Sequence, residues 1–503
     1  MNGMAELIES FETAKGNMFG DLLSKREQGG KLKIGLVTVA FFEYWRMFSP
    51  EMKGNVTGDM AHLHDQLQQR LPFCEILWPG LIDTLDAAEQ AGLELAERQV
   101  DLIIYAAGTY CPDYMAIQLL EHVRQAPVLM FNTQRDSRIN LKTNYENIIR
   151  NSALIANMQL AASFRKMGWY KDLHVVVGSL DDEASYDEIA CYARALKAYK
   201  ELKRVNLGVI GHVFRGMYDF EYDKTMVKGT LGPNLIAVQL SHLLEQYEQA
   251  GDKETEEAVA AARQQFHIVG VGQDDMDKSA RMYVALRHTL ERFRLDGLTL
   301  LGQHYVEQKT GTTSYLAHTL LHEEAQYVTN TEGDVHGLII MKLMHLLTGK
   351  VPAYAEWGEF DEELNALLMV HHGFADPSYA ADRGSVQVNR SPEQWGLEGA
   401  GFGFEYTLKP GVVTVSHLIN DAEGYKMLIV RGEALHIPEN IPCEEITAVV
   451  KFEQPIKLLL RRLIKEGFAH HCIIGYGDLT AELAHVADFM GIRKMVYEGS
   501  GEA

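Results

Sequence analysis

Six side chains in the second half of this 503-residue chain could do acid–base or metal chemistry. They are Glu332 in TEGDVHG, Glu356 in AEWGEF, His371 and His372 in LLMVHHGF, and His470 and His471 in GFAHHC. Carboxylates and imidazoles trade protons near neutral pH and hold first-row divalent cations. Taken singly, each has a plainer use. Glu332 reads as an acid at a helix N-terminus, where the helix dipole favours one. Glu356 lies in an acidic stretch that solvent can cover. A histidine pair after an apolar run is an ordinary core edge. A further pair, His318 and His322 in HTLLHEE, shares one helical face and could make half a metal site. Its plainer use, on a solvated helix face, weighs more. The chain carries no P-loop, GxSxG, HExxH, EF-hand loop or GxGxxG.

These residues need elements to position them. KLKIGLVTVAFF (31–42), VDLIIYAAGT (100–109), APVLMFNTQ (126–134) and LHVVVGSL (173–180) are apolar runs that predict buried strands. Helical patterns lie between them, and a polar helical lead-in fills residues 1–30. Such alternation predicts a doubly wound parallel sheet over 1–200. The loops FFEYWR, GTYCPDY and NTQRDSR leave the carboxyl ends of its strands, where ligands bind in such sheets. RVNLGVIGHV, QFHIVGVG and DGLTLLG predict a second α/β domain over 201–350. From about residue 375, SVQVNR, FGFEYTL, GVVTVSHLI, YKMLIVRGEAL and EITAVVKFE read as short strands without intervening helices. The fold class is therefore α/β: two doubly wound parallel-sheet domains, then an antiparallel β-rich, barrel-like domain over 351–503 with terminal helices.

Composition narrows the partners. A formal net charge of −22 repels nucleic acid and anionic membrane surfaces. No run of about 18 apolar residues predicts a membrane span. The N-terminus lacks the basic start and apolar core of a signal peptide. Five cysteines, an odd number without CxxC, point to a reducing cytoplasm and not to a disulfide framework.

The ordered set TEGDVH, YAEW, VHH and GFAHH resembles the L-arabinose/L-fucose isomerases. That family carries GEGDWK-like, MED-like and GSH-like segments and then GGAHH, at similar spacings. GHVFRGMYDFEYDK is similar to its GDNMR segment with the following DK, FNTQ to its FHTQ, and GTYCPDYM to its HTFSPAKM. The resemblance runs patchily from about residue 34 to 497. It implies that Glu332, Glu356, His372 and His471 bind one metal ion, with His371 the alternative to His372. It also implies that Glu332 and Glu356 are the catalytic acid/base pair, and that the chain assembles as a trimer or hexamer. Two carboxylates and two imidazoles suit Mn²⁺ or Co²⁺, with Mg²⁺ and Zn²⁺ next.

The reaction so implied moves a proton between C1 and C2 of a sugar while the carbonyl moves the other way. Removal of the weakly acidic C2 proton creates enediolate charge, which a divalent cation stabilises. The family's SQHLYG is replaced here by VAFFEYWR, and Arg135 follows Gln134 where the family has an aromatic. Gln134, Thr109, Arg135, Arg138 and Arg46 are the expected substrate contacts. The three guanidiniums suit an anionic far end, such as that of a C6-sulfonated hexose. The readings in competition are a sugar epimerase or lyase on the same metal site, and a non-catalytic sugar-binding or regulatory protein.

Overall fold

The computed structural model describes residues 30–170, 173–301, 305–324, 326–390 and 401–497. The helical lead-in expected over 1–30 therefore lies outside the described residues, Gly30 excepted. The chain divides into two compact units, Met1–Lys197 and Ala198–Ala503.

The first unit contains β1 (Leu32–Val39), β2 (Cys74–Leu77), β3 (Leu81–Ile82), β4 (Leu102–Ala107), β5 (Val128–Gln134) and β6 (His174–Ser179). They pair in parallel in the order β2–β1–β4–β5–β6, with β3 beside the end of β1. β4, LIIYAA, is buried along its whole length, as a central strand covered on both faces must be. The order reverses between β1 and β4, so the crevice of this doubly wound sheet opens at their carboxyl ends. Thr109 is buried there. Its hydroxyl accepts from Phe41 N at 3.2 Å and donates to Tyr110 O at 2.9 Å, tying the two loops together. Gln134 Nε2 donates to Asp136 O at 2.6 Å. Arg46, Arg135 and Arg138 are exposed at the same strand ends, and Arg135 Nε lies 3.8 Å from Asp59.

The second unit continues with β7 (Asn206–Ile210), β8 (Asn234–Val238), β9 (His267–Ile268), β10 (Gly297–Leu300) and β11 (Val328–Thr331). It then adds β12 (Ala353–Asp361), β13 (Ala366–His371), β14 (Gln387–Arg390), β15 (Phe402–Thr407) and β16 (Gly411–Asp421). Last come β17 (Gly424–Ala434), β18 (Ile446–Phe452), β19 (His471–Tyr476) and β20 (Arg493–Tyr497). β11–β10–β7–β8 form a parallel sheet. QFHIVGVG, expected to join it, does not. Only two of its residues pair, as β9 alongside β14, and Gly270 then turns away with φ +71°. The sheet is completed instead by β8 and by β11, whose sequence VTNT is buried but polar.

Six strands close into an antiparallel barrel, in the ring β17–β16–β19–β12–β13–β18 and back to β17. A closed ring leaves these strands no open edge. β20 flanks β17 in parallel, and β15, β14 and β9 extend from β18. Val415, Leu428, Val430, Ala448, Val450 and Ile474 are core residues of this region. The helix Val335–Thr348, which follows β11, packs against β16 and β19 and so joins the parallel sheet to the barrel.

Candidate metal centre

Glu332 directly follows β11, at the carboxyl end of the parallel sheet. Its amide donates to Leu300 O at 3.1 Å and its carbonyl accepts from Phe214 N at 2.9 Å, so both sides of the residue are pinned. It adopts φ +67°, a left-handed conformation that costs a non-glycine residue free energy and persists only where the surroundings impose it. Gly333 follows at φ +78°, and a Cβ there would sit 2.7 Å from His212 O. Asp334 then caps the helix Val335–Thr348 by accepting from Gly337 N at 2.7 Å. The turn thus aims the Glu332 carboxylate away from the helix that follows it.

Glu356 lies on β12, which is paired on both sides. Its cross-strand neighbours are Val370 on β13 and His471 on β19. The barrel register therefore sets Glu356 beside the last residues of β13 and the first of β19. His471 Nε2 is 3.1 Å from Glu356 Oε1 and 3.6 Å from Glu332 Oε2. Ligand-type atoms of Glu356, His371 and His471 lie within 4.8 Å of one another, as do those of Glu332, His470 and His471. The structure thus brings Glu332, Glu356 and His471 together with His371. His372 is in neither group, and its Nδ1 is hydrogen-bonded to Glu445.

The imidazoles are oriented from behind. The Tyr354 hydroxyl donates to Asp334 Oδ2 at 3.0 Å and accepts from His471 Nδ1, which leaves His471 Nε2 facing the two glutamates. Asp334, fully buried, also takes a hydrogen bond from His417 Nε2 at 3.2 Å. His371 Nδ1 donates to the His372 carbonyl at 2.9 Å, which commits that nitrogen and leaves Nε2 as the free corner. This is how metal-binding imidazoles are commonly set. His470 is held by Asp219, 2.6 Å from its Nδ1, and stacks on Phe220.

Electrostatics separates the two acids. Burial raises the Glu332 carboxyl, and the charge of Glu356 adds to that against the pull of His471. Burial acts upward on Glu356 too, but the hydrogen bond from His471 and the nearby imidazoles outweigh it and bring it down to about 2. Burial lowers His371 to about 3. It also acts to lower His471, yet hydrogen bonds to Asp334 and Glu356 and the charge of Glu332 raise that ring to about 9. A cluster of anions wrapped around one imidazole is a site that welcomes positive charge.

A cavity of about 520 Å³ opens beside the cluster, lined among others by Phe214, Tyr315, Glu332, Glu356, His371 and His372. That volume suits a small molecule such as a monosaccharide. His318 and His322 are not on a solvated face. Both are buried and bonded to Thr329 of β11, His318 Nδ1 to its hydroxyl at 2.7 Å and His322 Nε2 to its carbonyl at 2.9 Å. They fasten a helix to the strand that delivers Glu332, and burial holds both well below the ordinary histidine range.

Sequence reasoning missed Asp334, Tyr354, Asp219 and Glu445. Asp334 was visible as the acid of TEGD, two residues from Glu332, in a helix-capping position. Tyr354 stands two residues before Glu356, with the period of a strand. Asp219 and Glu445 gave no local signal.

No protein-family model matches the chain. It is 26% identical to a sulfoquinovose isomerase of Alkalicoccus urumqiensis over 314 residues, covering 61% of this chain and 68% of that protein. It is 23% identical to a sulfoquinovose isomerase of Priestia aryabhattai over 441 residues, 83% of this chain and 92% of the relative. An L-arabinose isomerase of Herpetosiphon aurantiacus matches at 22% over 406 residues, 77% of this chain and 78% of that one. The chain is thus similar to sugar isomerases of the arabinose-isomerase-like kind.

Proposed function

We propose that the chain is a metal-dependent aldose–ketose isomerase acting on a C6-sulfonated hexose by enediol proton transfer. The observation that carries the reading is that two groups of possible ligands, Glu356 with His371 and His471 and Glu332 with His470 and His471, share His471 and are drawn from the end of the parallel sheet and three barrel strands. Two carboxylates and two imidazoles fit a divalent cation such as Mn²⁺, Co²⁺, Mg²⁺ or Zn²⁺. His371 takes the place first expected of His372. When bound, such an ion supplies Lewis-acid stabilisation of the negative charge that enolisation creates.

The chain's own groups supply the proton movements. Glu356, held ionised, is the carboxylate suited to take the C2 proton and later return it to C1. Glu332, raised by burial, is suited to give a proton to O1 and withdraw one from O2. The opposed proton affinities of two neighbouring acids are what one carboxyl for each side of the transfer requires.

Two observations support a sulfonated substrate. Two of the relatives are named sulfoquinovose isomerases. Arg46, Arg135 and Arg138 stand exposed at the carboxyl ends of the first unit's sheet. The oligomer is proposed, from the family resemblance, to be a trimer or hexamer. Among the described residues no helix is long and apolar enough to cross a membrane. The test is a panel of neutral and anionic aldoses with added Mn²⁺ and detection of ketose. Conversion of neutral sugars only, unchanged by Arg135→Ala, defeats the anionic substrate. No conversion of any sugar defeats the isomerase.

A further inference from the structure

The wall of the cavity next to the metal cluster carries a second polar pair. His372 directly follows His371 at the end of β13, and Glu445 directly precedes β18. The two strands are antiparallel with His371 opposite Ile446, so one further step of the same register sets His372 opposite Glu445. Their side chains are hydrogen-bonded, Nδ1 of the imidazole to Oε1 of the carboxylate. A carboxylate oxygen only accepts, so Nδ1 carries the hydrogen of that bond.

Both residues line the cavity that also holds Glu332 and Glu356. The Glu445 side chain is only 10% exposed. Its second oxygen, Oε2, and His372 Nε2 are buried without a hydrogen-bond partner among the described residues. Tyr315 and His470 on the same wall carry donors, but neither is bonded to these two atoms. Buried polar atoms are normally satisfied, so this wall is complementary to a ligand that brings two neighbouring hydroxyl groups.

We propose that His372 and Glu445 form a hydroxyl-reading subsite that accepts from the vicinal diol at C3 and C4 of the aldose. The inference rests on the isomerase reading for its ligand. The metal cluster would engage C1 and C2, and His372 and Glu445 line the same cavity, so the carbons next along the sugar are the ones assigned to them. A site built to accept a sugar hydroxyl rejects the analogue that lacks it more steeply than an apolar pocket rejects a missing methylene.

The test compares wild type, His372→Leu, His372→Gln and Glu445→Gln, each as the full Mn²⁺-loaded chain, on sulfoquinovose and its 3-deoxy and 4-deoxy analogues. In wild type at least one deoxy sugar is expected to raise KM by about tenfold to a hundredfold. His372→Leu raises KM for the parent sugar by a similar factor, with metal content kept and kcat changed by less than about threefold. It shows no further penalty for that deoxy sugar, and His372→Gln, which keeps an acceptor, recovers part of the loss. A deoxy penalty as large in His372→Leu and Glu445→Gln as in wild type overturns the subsite, as does loss of the metal from His372→Leu. If wild type binds the sugars without forming ketose, the isomerase reading falls, and the same comparison made by titration calorimetry decides the subsite alone. Failure of all three sugars to bind metal-loaded wild type overturns both.

Discussion

Glu332→Gln keeps the shape of the carboxyl but removes its proton chemistry. It is expected to lower turnover by about 10²–10⁴-fold, and its melting temperature should stay close to wild type. His471 permits a sharper test, because protons and metal compete for its ring. Its pKa is raised from 6.5 to about 9 in the metal-free protein. The stability this contributes is fully present below pH 6.5 and is lost as pH rises through about 9. Glu356 is lowered from 4.5 to about 2, so its share is present above pH 4.5 and is lost as pH falls through about 2. Metal affinity runs the other way on the alkaline side, strengthening by up to about tenfold per pH unit until near 9 as the ring sheds its proton. Thermal melts in EDTA and Mn²⁺ titrations by calorimetry should show these opposite slopes between pH 6.5 and 9. An Mn²⁺ affinity that is flat over this range would mean that His471 is not a ligand.

At the scale of elements, the turn after β11 and the ends of β13 and β19 decide whether the groups meet. Gly333→Ala forces a Cβ to within 2.7 Å of His212 O at φ +78°. It should cost about 1–3 kcal/mol and lower metal affinity as well, since the same turn aims Glu332. Tyr354→Phe leaves β12 intact but deletes the hydroxyl between Asp334 and His471. Loss of such an orienting group commonly costs about 10–100-fold in metal affinity, to be read as Mn²⁺ Kd with the fold checked by circular dichroism. The sequence was legible where strands are wholly apolar, as in β1 and β4, because burial on both faces leaves no polar alternation to misread. It was not legible in β11, where Thr329 is bonded to His318 and His322 of the preceding helix and Asn330 Nδ2 donates to Asp334 O, contacts that no strand pattern announces. HIVGVG reads as a strand by its apolar residues, but its glycines break the run. The acidic texture around Glu356 hid a barrel strand whose first half is buried.

Across the whole molecule, the barrel-like character of the C-terminal region was readable from short strands and turn residues. Its closure was not, because the pairing of β17 with β18 is a long-range register that no local pattern encodes. The convergence of the site was likewise invisible residue by residue. Glu332 and His471 are 139 positions apart in the numbering, and only the packing of one helix between sheet and barrel brings them together. Spacing also leaves open which imidazole of the 371–372 pair stands nearer the glutamates, and at the end of β13 it is His371 that lies with Glu356 and His471. The proposed trimer or hexamer belongs to this scale. Mass photometry at nanomolar concentration should give about three or six times 56.6 kDa. A purely monomeric distribution contradicts that assembly.

The central claim is that this cluster, once it holds a divalent cation, interconverts an aldose and a ketose. Incubating the Mn²⁺-loaded protein with sulfoquinovose in ²H₂O and following the mixture by NMR tests it most directly. The account predicts the corresponding 2-ketose, with solvent deuterium or the transferred proton at C1 and no product after EDTA or with Glu356→Gln. A product epimerised at C2 without ketose, a cleaved sugar, or full conversion in the presence of EDTA would contradict it.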